Sequence, residues 1–93
     1  MPEYQIYILR CADGTLYTGI ARDSAKRLAV HNSGKGARYT RSRLPCALVY
    51  SENCLGRSEA QRRERAIKKL TREAKLALIA GRASDPLPPG PQP

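Results

Sequence analysis

The sequence predicts an α+β fold with a small three-stranded mixed sheet flanked by helices, in the order β-β-α-β-α-α. Two segments rich in β-forming residues follow each other closely at residues 4–11 and 15–20, and a third lies at residues 47–51. Three other segments carry helix-capping signals. Because a chain of 93 residues forms one domain at most, we expect a single domain over residues 1–81.

The first two strands are expected to form a hairpin, whose loop has two interpretations. Asp13 and Gly14 are suited to a two-residue type I′ turn. Together with Ala12, the same residues are suited to a three-residue loop in which Gly14 adopts a positive φ angle and a bulge follows. The sequence pattern is compatible with both loops.

The loop length decides on which face of the sheet two tyrosines lie. With a two-residue turn, Tyr7 and Tyr17 point to opposite faces. With a three-residue loop, Cys11 pairs with Thr15 and both phenol rings share one face. Gly19 would then lie opposite Tyr7 and leave room for its ring. A site that uses both tyrosines therefore requires the three-residue loop.

The first helix is expected over residues 24–32. Asp23 precedes it and is a favourable N-cap, because its carboxylate can accept a hydrogen bond from a free backbone N–H. Ala25, Leu28 and Ala29 form the expected apolar stripe of this helix. The stretch that follows, residues 33–45, is strongly basic, and we expect a loop that is too polar to enter the core.

Two more helices are expected after the third strand. Ser58 and Gln61 have the spacing of a capping box at the start of a helix that ends near Lys69. Thr71 then caps a helix over residues 72–80. We expect that last helix to end at the glycine that follows it.

Residues 82–93 differ in composition from the rest of the chain. Five prolines occupy the final eight positions, which predicts a disordered Pro-rich tail outside the domain. Proline-rich segments of this kind are recognised by aromatic-lined grooves, so the tail is a candidate attachment point for a protein partner.

The charge balance narrows the choice of partner. The chain has 17 Lys and Arg against 8 Asp and Glu, a net charge of +9. No apolar run approaches the ~18 residues of a membrane span, and the N-terminus lacks the pattern of a secretion signal. Nucleic acid is the polyanion that such a surface most often meets.

The cysteine and histidine content excludes several kinds of site. Cys11, Cys46 and Cys54 are odd in number and have no CxxC spacing, which is typical of reduced thiols in a cytoplasmic protein rather than of a disulfide scaffold or zinc site. With one histidine, His31, the chain has no histidine pair for a metal.

A carboxylate lies in the middle of the apolar stripe of the second predicted helix. At ~100° per residue, Glu64 shares its face with Ala60, Ile67 and Thr71. Because an unpaired buried charge is costly, Glu64 is expected either to form an ion pair with an arginine at the edge of the core or to serve a functional role, such as holding a metal.

Arg27 and His31 lie four residues apart, on one flank of the first helix. They are either two solvated polar residues or a guanidinium and an imidazole that bind the same phosphate group. All five aromatic residues of the chain are tyrosines, and each is either a packing residue or a functional hydroxyl. Five residues of the basic stretch are candidate nucleic-acid contacts: Lys35, Arg38, Tyr39, Arg41 and Arg43.

These residues together resemble the GIY-YIG nuclease superfamily, most closely its small stand-alone bacterial members. Gln5-Ile6-Tyr7 and Tyr17-Thr18-Gly19 match the two name-giving motifs, and they are followed in order by Arg27, His31 and the helix glutamate Glu64. The resemblance covers about residues 4–80. Many members carry a lysine directly after the second motif, where this chain has Ile20.

The resemblance implies a GIY-YIG endonuclease: a divalent-metal-dependent hydrolase of low sequence specificity that cuts DNA, as in repair or processing. It implies that Glu64 holds Mg²⁺ or Mn²⁺ and that Arg27 neutralises the scissile phosphate. It also implies that Tyr7 or Tyr17 helps to deprotonate the attacking water, with His31 assisting. The alternative is a basic nucleic-acid binding module without catalysis, for which the charge of +9 is sufficient.

Overall fold

The structure is a three-stranded sheet with helices on both faces. A computed structural model describes residues 3–84. In chain order the elements are strands β1 (Tyr4–Arg10) and β2 (Leu16–Ala21), helix α1 (Ser24–Val30), a π-helical turn (His31–Lys35), helix α2 (Arg38–Arg41), strand β3 (Ala47–Cys54) and helices α3 (Arg57–Lys68) and α4 (Arg72–Ser84).

The sheet has the strand order β2-β1-β3. The predicted α+β class and the three strands are confirmed. The expectation of a mixed sheet is wrong, because both pairings are antiparallel. Strand β1 lies in the centre and both of its neighbours run in the opposite direction, so no parallel pair forms.

The hairpin contains the three-residue loop. Cys11 N–H donates to the carbonyl of Thr15 at 2.8 Å, and Gly14 has a φ angle of 87°. The register places Leu9 opposite Tyr17 and Tyr7 opposite Gly19. Both tyrosines therefore lie on the same face of the sheet, as this loop length requires.

The two faces of the sheet bury different cores. The first face carries Ile6 and Ile8 of β1, which pack with Ala60 and Ile67 of α3. We call this the scaffold face. The second face carries Tyr7, Leu9, Cys11, Ala21 and Cys46, with Tyr17 and Leu28 packed against them. We call this the tyrosine face.

Helix α1 is capped as expected, since the Asp23 carboxylate accepts from Lys26 N–H at 3.1 Å. Its predicted apolar stripe is wrong in part, because Ala25 and Ala29 are exposed. The helix instead turns Ser24 and Leu28 towards the protein, followed by His31 on the next turn. The spacing of four and three residues is still helical, but two of the inward positions are polar.

The basic stretch contains more structure than a loop. Residues Arg38–Arg41 form the short helix α2, and Thr40 at its centre is fully buried. The predicted capping box of α3 is wrong. Gly56 is the N-cap and Ser58 lies inside the helix, while the Glu59 carboxylate accepts from Leu55 N–H at 3.0 Å.

Thr71 caps α4 as predicted, because its hydroxyl oxygen accepts from Ala74 N–H at 3.1 Å. The helix continues through Gly81 to Ser84, past the expected domain boundary. A glycine inside a helix costs only about 1 kcal/mol relative to alanine, which neighbouring turns can offset. The predicted Pro-rich tail falls largely on residues 85–93, outside the described residues. Among the helices of residues 3–84, none has the length and apolar character needed to cross a membrane.

Candidate functional site

The two motif tyrosines meet beside a glycine. The ring centroids of Tyr7 and Tyr17 are 6.4 Å apart. A β-carbon on Gly19 would lie 2.5 Å from the Tyr7 hydroxyl oxygen, closer than real Cβ contacts come. Gly19 is therefore required by the close approach of the Tyr7 ring across the strand pair.

A chain of buried hydrogen bonds starts at Tyr7. The Thr40 hydroxyl donates to the Ala37 carbonyl at 2.9 Å, so its oxygen accepts from His31 Nδ1–H, also at 2.9 Å. His31 Nε2 then carries no hydrogen and accepts the Tyr7 hydroxyl at 3.0 Å. The imidazole is 2% exposed and Tyr7 is 1% exposed. The chain thus holds His31 as a neutral acceptor for the Tyr7 proton.

The backbone conformation around His31 positions the imidazole ring in this cluster. His31 begins the π-helical turn, and Gly34 within it has a φ angle of 85°. A β-carbon on Gly36 would come within 2.8 Å of the His31 α-carbon. Asn32 holds the turn to the strand that follows, since its side chain donates to the Cys46 carbonyl at 3.0 Å and accepts from Cys46 N–H at 2.7 Å.

Burial sets the protonation states of the pair. Burial, and secondarily the positive charge of Arg27, lower the pKa of His31 below its ordinary value. Burial first, and then the neighbouring Tyr17, raise the pKa of Tyr7 to about 12, with Arg27 opposing and Glu64 reinforcing the rise. At neutral pH the site therefore holds an intact phenol and a neutral imidazole.

Arg27 lies at the open side of this cluster. It borders a cleft of about 430 Å³ together with Tyr17, His31 and Lys35. The Arg27 side chain is exposed, and within residues 3–84 it forms no ion pair with a carboxylate. The guanidinium is thus available to an anion that enters the cleft.

Glu64 lies one helical turn from each of two fully buried residues of α3, Ala60 and Ile67. Its side chain is 22% exposed and its carboxylate forms an ion pair with Lys68 Nζ at 3.1 Å. The expected alternative, an ion pair with an arginine at the edge of the core, is not formed within the described part of the chain. The charge of Glu64 is the smallest of the influences that raise the pKa of Tyr7, and Glu64 is not among the residues that line the cleft beside His31.

The donor set is compatible with one kind of metal ion. Within residues 3–84 there is no group of three or more His, Cys, Asp or Glu side chains that could hold a metal. Zinc sites need such a group. Mg²⁺ and Mn²⁺ are held by one or two carboxylates while they keep waters and bind substrate oxygens. Glu64 fits that requirement.

The candidate nucleic-acid contacts divide into three groups. Lys35 lines the cleft, and the Tyr39 ring stacks on Tyr17 with a centroid distance of 5.9 Å. Arg43 is engaged elsewhere, because it lies 4.0 Å above the Tyr39 ring and pairs with Asp13 at 3.0 Å. Arg38 and Arg41 are exposed on α2. The structure therefore brings Lys35 and Tyr39 to the site, whereas Arg43 fastens the basic stretch to the hairpin loop.

Two residues that shape the site were not predicted to do so from the sequence. Thr40 fixes the His31 tautomer, and Gly36 makes room for the His31 ring. Thr40 had no local signal, because it stands inside a stretch that looks wholly solvated. The spacing of Gly34 and Gly36 after His31 is the one sequence feature that could have indicated a tight turn.

A sequence model of the GIY-YIG catalytic domain matches residues 3–77. This chain belongs to the GIY-YIG family. The match confirms the resemblance carried by the two tyrosine motifs, to a family of nuclease domains. The relatives of this GIY-YIG chain are UPF0213 proteins, which contain the same domain.

Two sequence relatives show the extent of the match. A UPF0213 protein of Desulfotalea psychrophila is 57% identical over 79 residues, covering 84% of this chain and 72% of that protein. A UPF0213 protein of Streptococcus agalactiae is 53% identical over 79 residues, covering 85% and 89%. The similarity therefore extends over nearly all of the GIY-YIG domain.

Two solution NMR structures share the fold. The UPF0213 protein of Bacillus halodurans is 40% identical, with a TM-score of 0.58, and the match covers 89% of this chain and 88% of that one. A protein of E. faecalis is 36% identical, with a TM-score of 0.59, covering 90% and 91%. The three-stranded arrangement of this GIY-YIG chain is therefore common to its relatives.

Proposed function

We propose that this GIY-YIG protein hydrolyses phosphodiester bonds in DNA, with the help of a divalent metal ion and with little sequence specificity. The observation that carries the proposal is that Tyr17, His31 and Arg27 line one cleft, with the buried Tyr7 hydroxyl hydrogen-bonded to His31. The proposal includes a role in DNA repair or processing in the cytoplasm, a reducing compartment with which the free cysteines of residues 3–84 agree.

Arg27 binds the scissile phosphate in this proposal. Its guanidinium has five N–H donors in a fixed fork that matches phosphate oxygens. The charge that accumulates on the phosphate in the transition state is then neutralised by a preorganised cation. The Tyr17 hydroxyl, on the same cleft, orients the bound group.

Tyr7 and His31 accept the proton of the attacking water. The water gives its proton to the Tyr7 oxygen as the Tyr7 proton moves to His31 Nε2, along the existing 3.0 Å hydrogen bond. The resulting imidazolium keeps its Nδ1–H bond to Thr40. This route avoids a free phenolate, which the pKa of about 12 makes unfavourable at neutral pH.

Glu64 is the residue that holds the metal in this proposal, after release of Lys68. An Mg²⁺ or Mn²⁺ ion held by Glu64 would supply Lewis-acid stabilisation of the negative charge that develops on the leaving oxygen. Because the ion has one protein carboxylate, its affinity is expected to be modest and to depend on bound substrate.

The test is DNA cleavage by the purified chain, with single-stranded, nicked and branched substrates, in Mg²⁺, Mn²⁺ or EDTA. Glu64→Gln is expected to lower the cleavage rate at least roughly 100-fold, since electrostatic groups at reacting centres contribute ~10²–10³. Glu73→Gln is the matched control, because it removes the same charge from an exposed position on α4.

Equal cleavage by wild type and Glu64→Gln would contradict the role of Glu64. Loss of cleavage in both Glu64→Gln and Glu73→Gln would contradict a specific role of Glu64, because an exposed carboxylate on α4 would then matter equally. The discriminating result is loss in the first variant alone, together with unchanged DNA affinity in EDTA.

A nucleic-acid binding module without catalysis is the second candidate function. It is favoured by Arg38 and Arg41, which are exposed and have no ion pair within residues 3–84. With ~4–6 phosphate contacts on duplex DNA, log K would fall with log[salt] with a slope of about −4 to −5. Binding with that slope, but no cleavage in any metal, would favour this second function.

A further inference from the structure

A second cleft adjoins the candidate site. It has a volume of about 730 Å³ and lies where the start of β1, the end of β2 and the first turns of α1 and α3 meet. Arg27 and Val30 line both this cleft and the 430 Å³ cleft beside His31. The two clefts therefore form adjoining parts of one surface, with Arg27 at their junction.

The second cleft is strongly positive. Its charged lining residues are Arg22, Lys26, Arg27, Arg57 and the carboxylate Asp23. Asp23 already accepts a hydrogen bond from Lys26 N–H as the cap of α1. Within residues 3–84, none of the four cations forms an ion pair. The cleft thus holds four positive charges against one negative charge.

An aromatic ring helps to place one of these cations. The Arg22 guanidinium lies 5.4 Å from the centroid of the Tyr4 ring, which forms part of the wall. A contact from Arg22 to the Tyr4 hydroxyl, and the positive charges of Arg22 and Arg57, lower the pKa of Tyr4 below its ordinary value. The direction of this shift agrees with the excess of positive charge among the residues that line the cleft.

We propose that this second cleft, through Arg22 and Arg57, binds the phosphates next to the scissile one in the DNA strand. The inference rests on the proposed function, because it takes Arg27 as the position of the scissile phosphate. A strand bound at Arg27 must continue away from it in both directions. The adjoining cleft provides one of these paths, and its excess of unpaired guanidinium groups suits successive phosphates.

The cleft differs from the basic stretch that the sequence singles out. In that stretch Arg43 is already bound to Asp13 and to the Tyr39 ring. The guanidinium of Arg57, by contrast, comes from α3, far from Arg22 in sequence, and the fold brings the two to one wall. Phosphate contacts therefore extend to a side of the site where the sequence predicted no nucleic-acid contact.

The test measures binding of a fluorescently labelled 12-nucleotide single-stranded DNA to the full chain, in EDTA and at several KCl concentrations. The variant is Arg22→Gln/Arg57→Gln. The matched control, Arg62→Gln/Arg72→Gln, removes two charges from exposed positions of α3 and α4 that do not line this cleft. Circular dichroism checks that both variants are folded.

Two lost phosphate contacts reduce the salt slope by about 1.4, at roughly 0.7 per contact on single strands, and weaken binding at 0.1 M salt by roughly 10- to 25-fold. The control is expected to keep the wild-type slope. An equal loss in both variants would overturn the inference, because binding would then follow net charge alone.

The outcomes separate the inference from the function on which it rests. Wild type that binds DNA, with Arg22→Gln/Arg57→Gln binding equally well, would overturn the second cleft alone and leave the proposed nuclease intact. Wild type that binds no DNA at all would overturn both. If the double variant fails to fold, the single variants Arg22→Gln and Arg57→Gln are each expected to reduce the slope by about 0.7.

Discussion

The two faces of the sheet use the same strands for different purposes. On the scaffold face, Ile6 and Ile8 of β1 pack against α3 in an apolar cluster. On the tyrosine face, the residue between them, Tyr7, donates a hydrogen bond to buried His31. Alternation along one strand thus separates a region held by hydrophobic burial from one held by a polar network.

The contrast between the two faces explains why the polar groups of the candidate site lie on the tyrosine face. Apolar burial stabilises without directional demands, whereas a buried polar group must keep its partners or lose about 1–3 kcal/mol. The network of Tyr7, His31 and Thr40 satisfies each hydroxyl and ring nitrogen in turn. Because the apolar cluster on the scaffold face stabilises the domain, the tyrosine face can hold buried polar groups that would reduce the stability of an ordinary core.

The sharpest test of this comparison substitutes neighbouring residues of β1. Ile8→Ala, on the scaffold face, is expected to reduce the free energy of unfolding by about 2–5 kcal/mol and to retain DNA cleavage below its melting temperature. Tyr7→Phe is expected to abolish cleavage at a smaller cost of about 1–3 kcal/mol, because His31 Nε2 loses its donor. Urea unfolding and the cleavage assay measure both, and active Tyr7→Phe would contradict the proposed proton route.

Gly19→Ala tests the close packing of the tyrosine face. The added carbon would meet the Tyr7 hydroxyl, so we expect a loss of about 1–3 kcal/mol and displacement of the Tyr7–His31 hydrogen bond. Gly81→Ala is the matched control, since its β-carbon would have no neighbour within 4 Å and the helix favours alanine. A melting temperature unchanged by Gly19→Ala would show that the ring has room to move.

The smallest expected effect concerns pH. The pKa of His31 is lower in the folded chain than in the unfolded one, so the unfolded chain binds more protons as the pH falls below about 6.5. The contribution of His31 to the free energy of unfolding is therefore fully present above that pH. It decreases below that pH, by at most about 1.4 kcal/mol per pH unit.

His31→Gln is expected to remove this part of the pH dependence. Asp13, whose pKa is lowered chiefly by hydrogen bonds from Thr15, adds an acid dependence to both proteins. The measured quantity is therefore the difference between wild type and variant in the free energy of unfolding, obtained from denaturant unfolding between pH 7 and pH 4.5. Identical pH profiles would show that His31 is not held neutral.

Local sequence patterns determined much of the architecture. The β-rich segments, the Asp23 and Thr71 caps and the order of the strands and the three longer helices could be predicted because they depend on neighbours in sequence, whereas α2 was not predicted. The patterns also indicated Glu64, Tyr7 and Tyr17 as candidate site residues, and the resemblance implied a catalytic role for each. The capping box at Ser58 did not form, since local spacing cannot show which of several polar side chains reaches a free N–H.

Contacts between residues far apart in the sequence were decided by the tertiary structure. The loop of the hairpin had two sterically acceptable forms, and the pairing of β1 with β2 selected the one that places Tyr7 and Tyr17 together. Thr40 became the partner of His31, and Arg57 joined Arg22, through contacts between elements far apart in the chain. The sequence alone determined the local conformations and which charged and hydroxyl-bearing side chains the chain contains. Packing decided their neighbours, because burial and hydrogen bonding depend on distances in space.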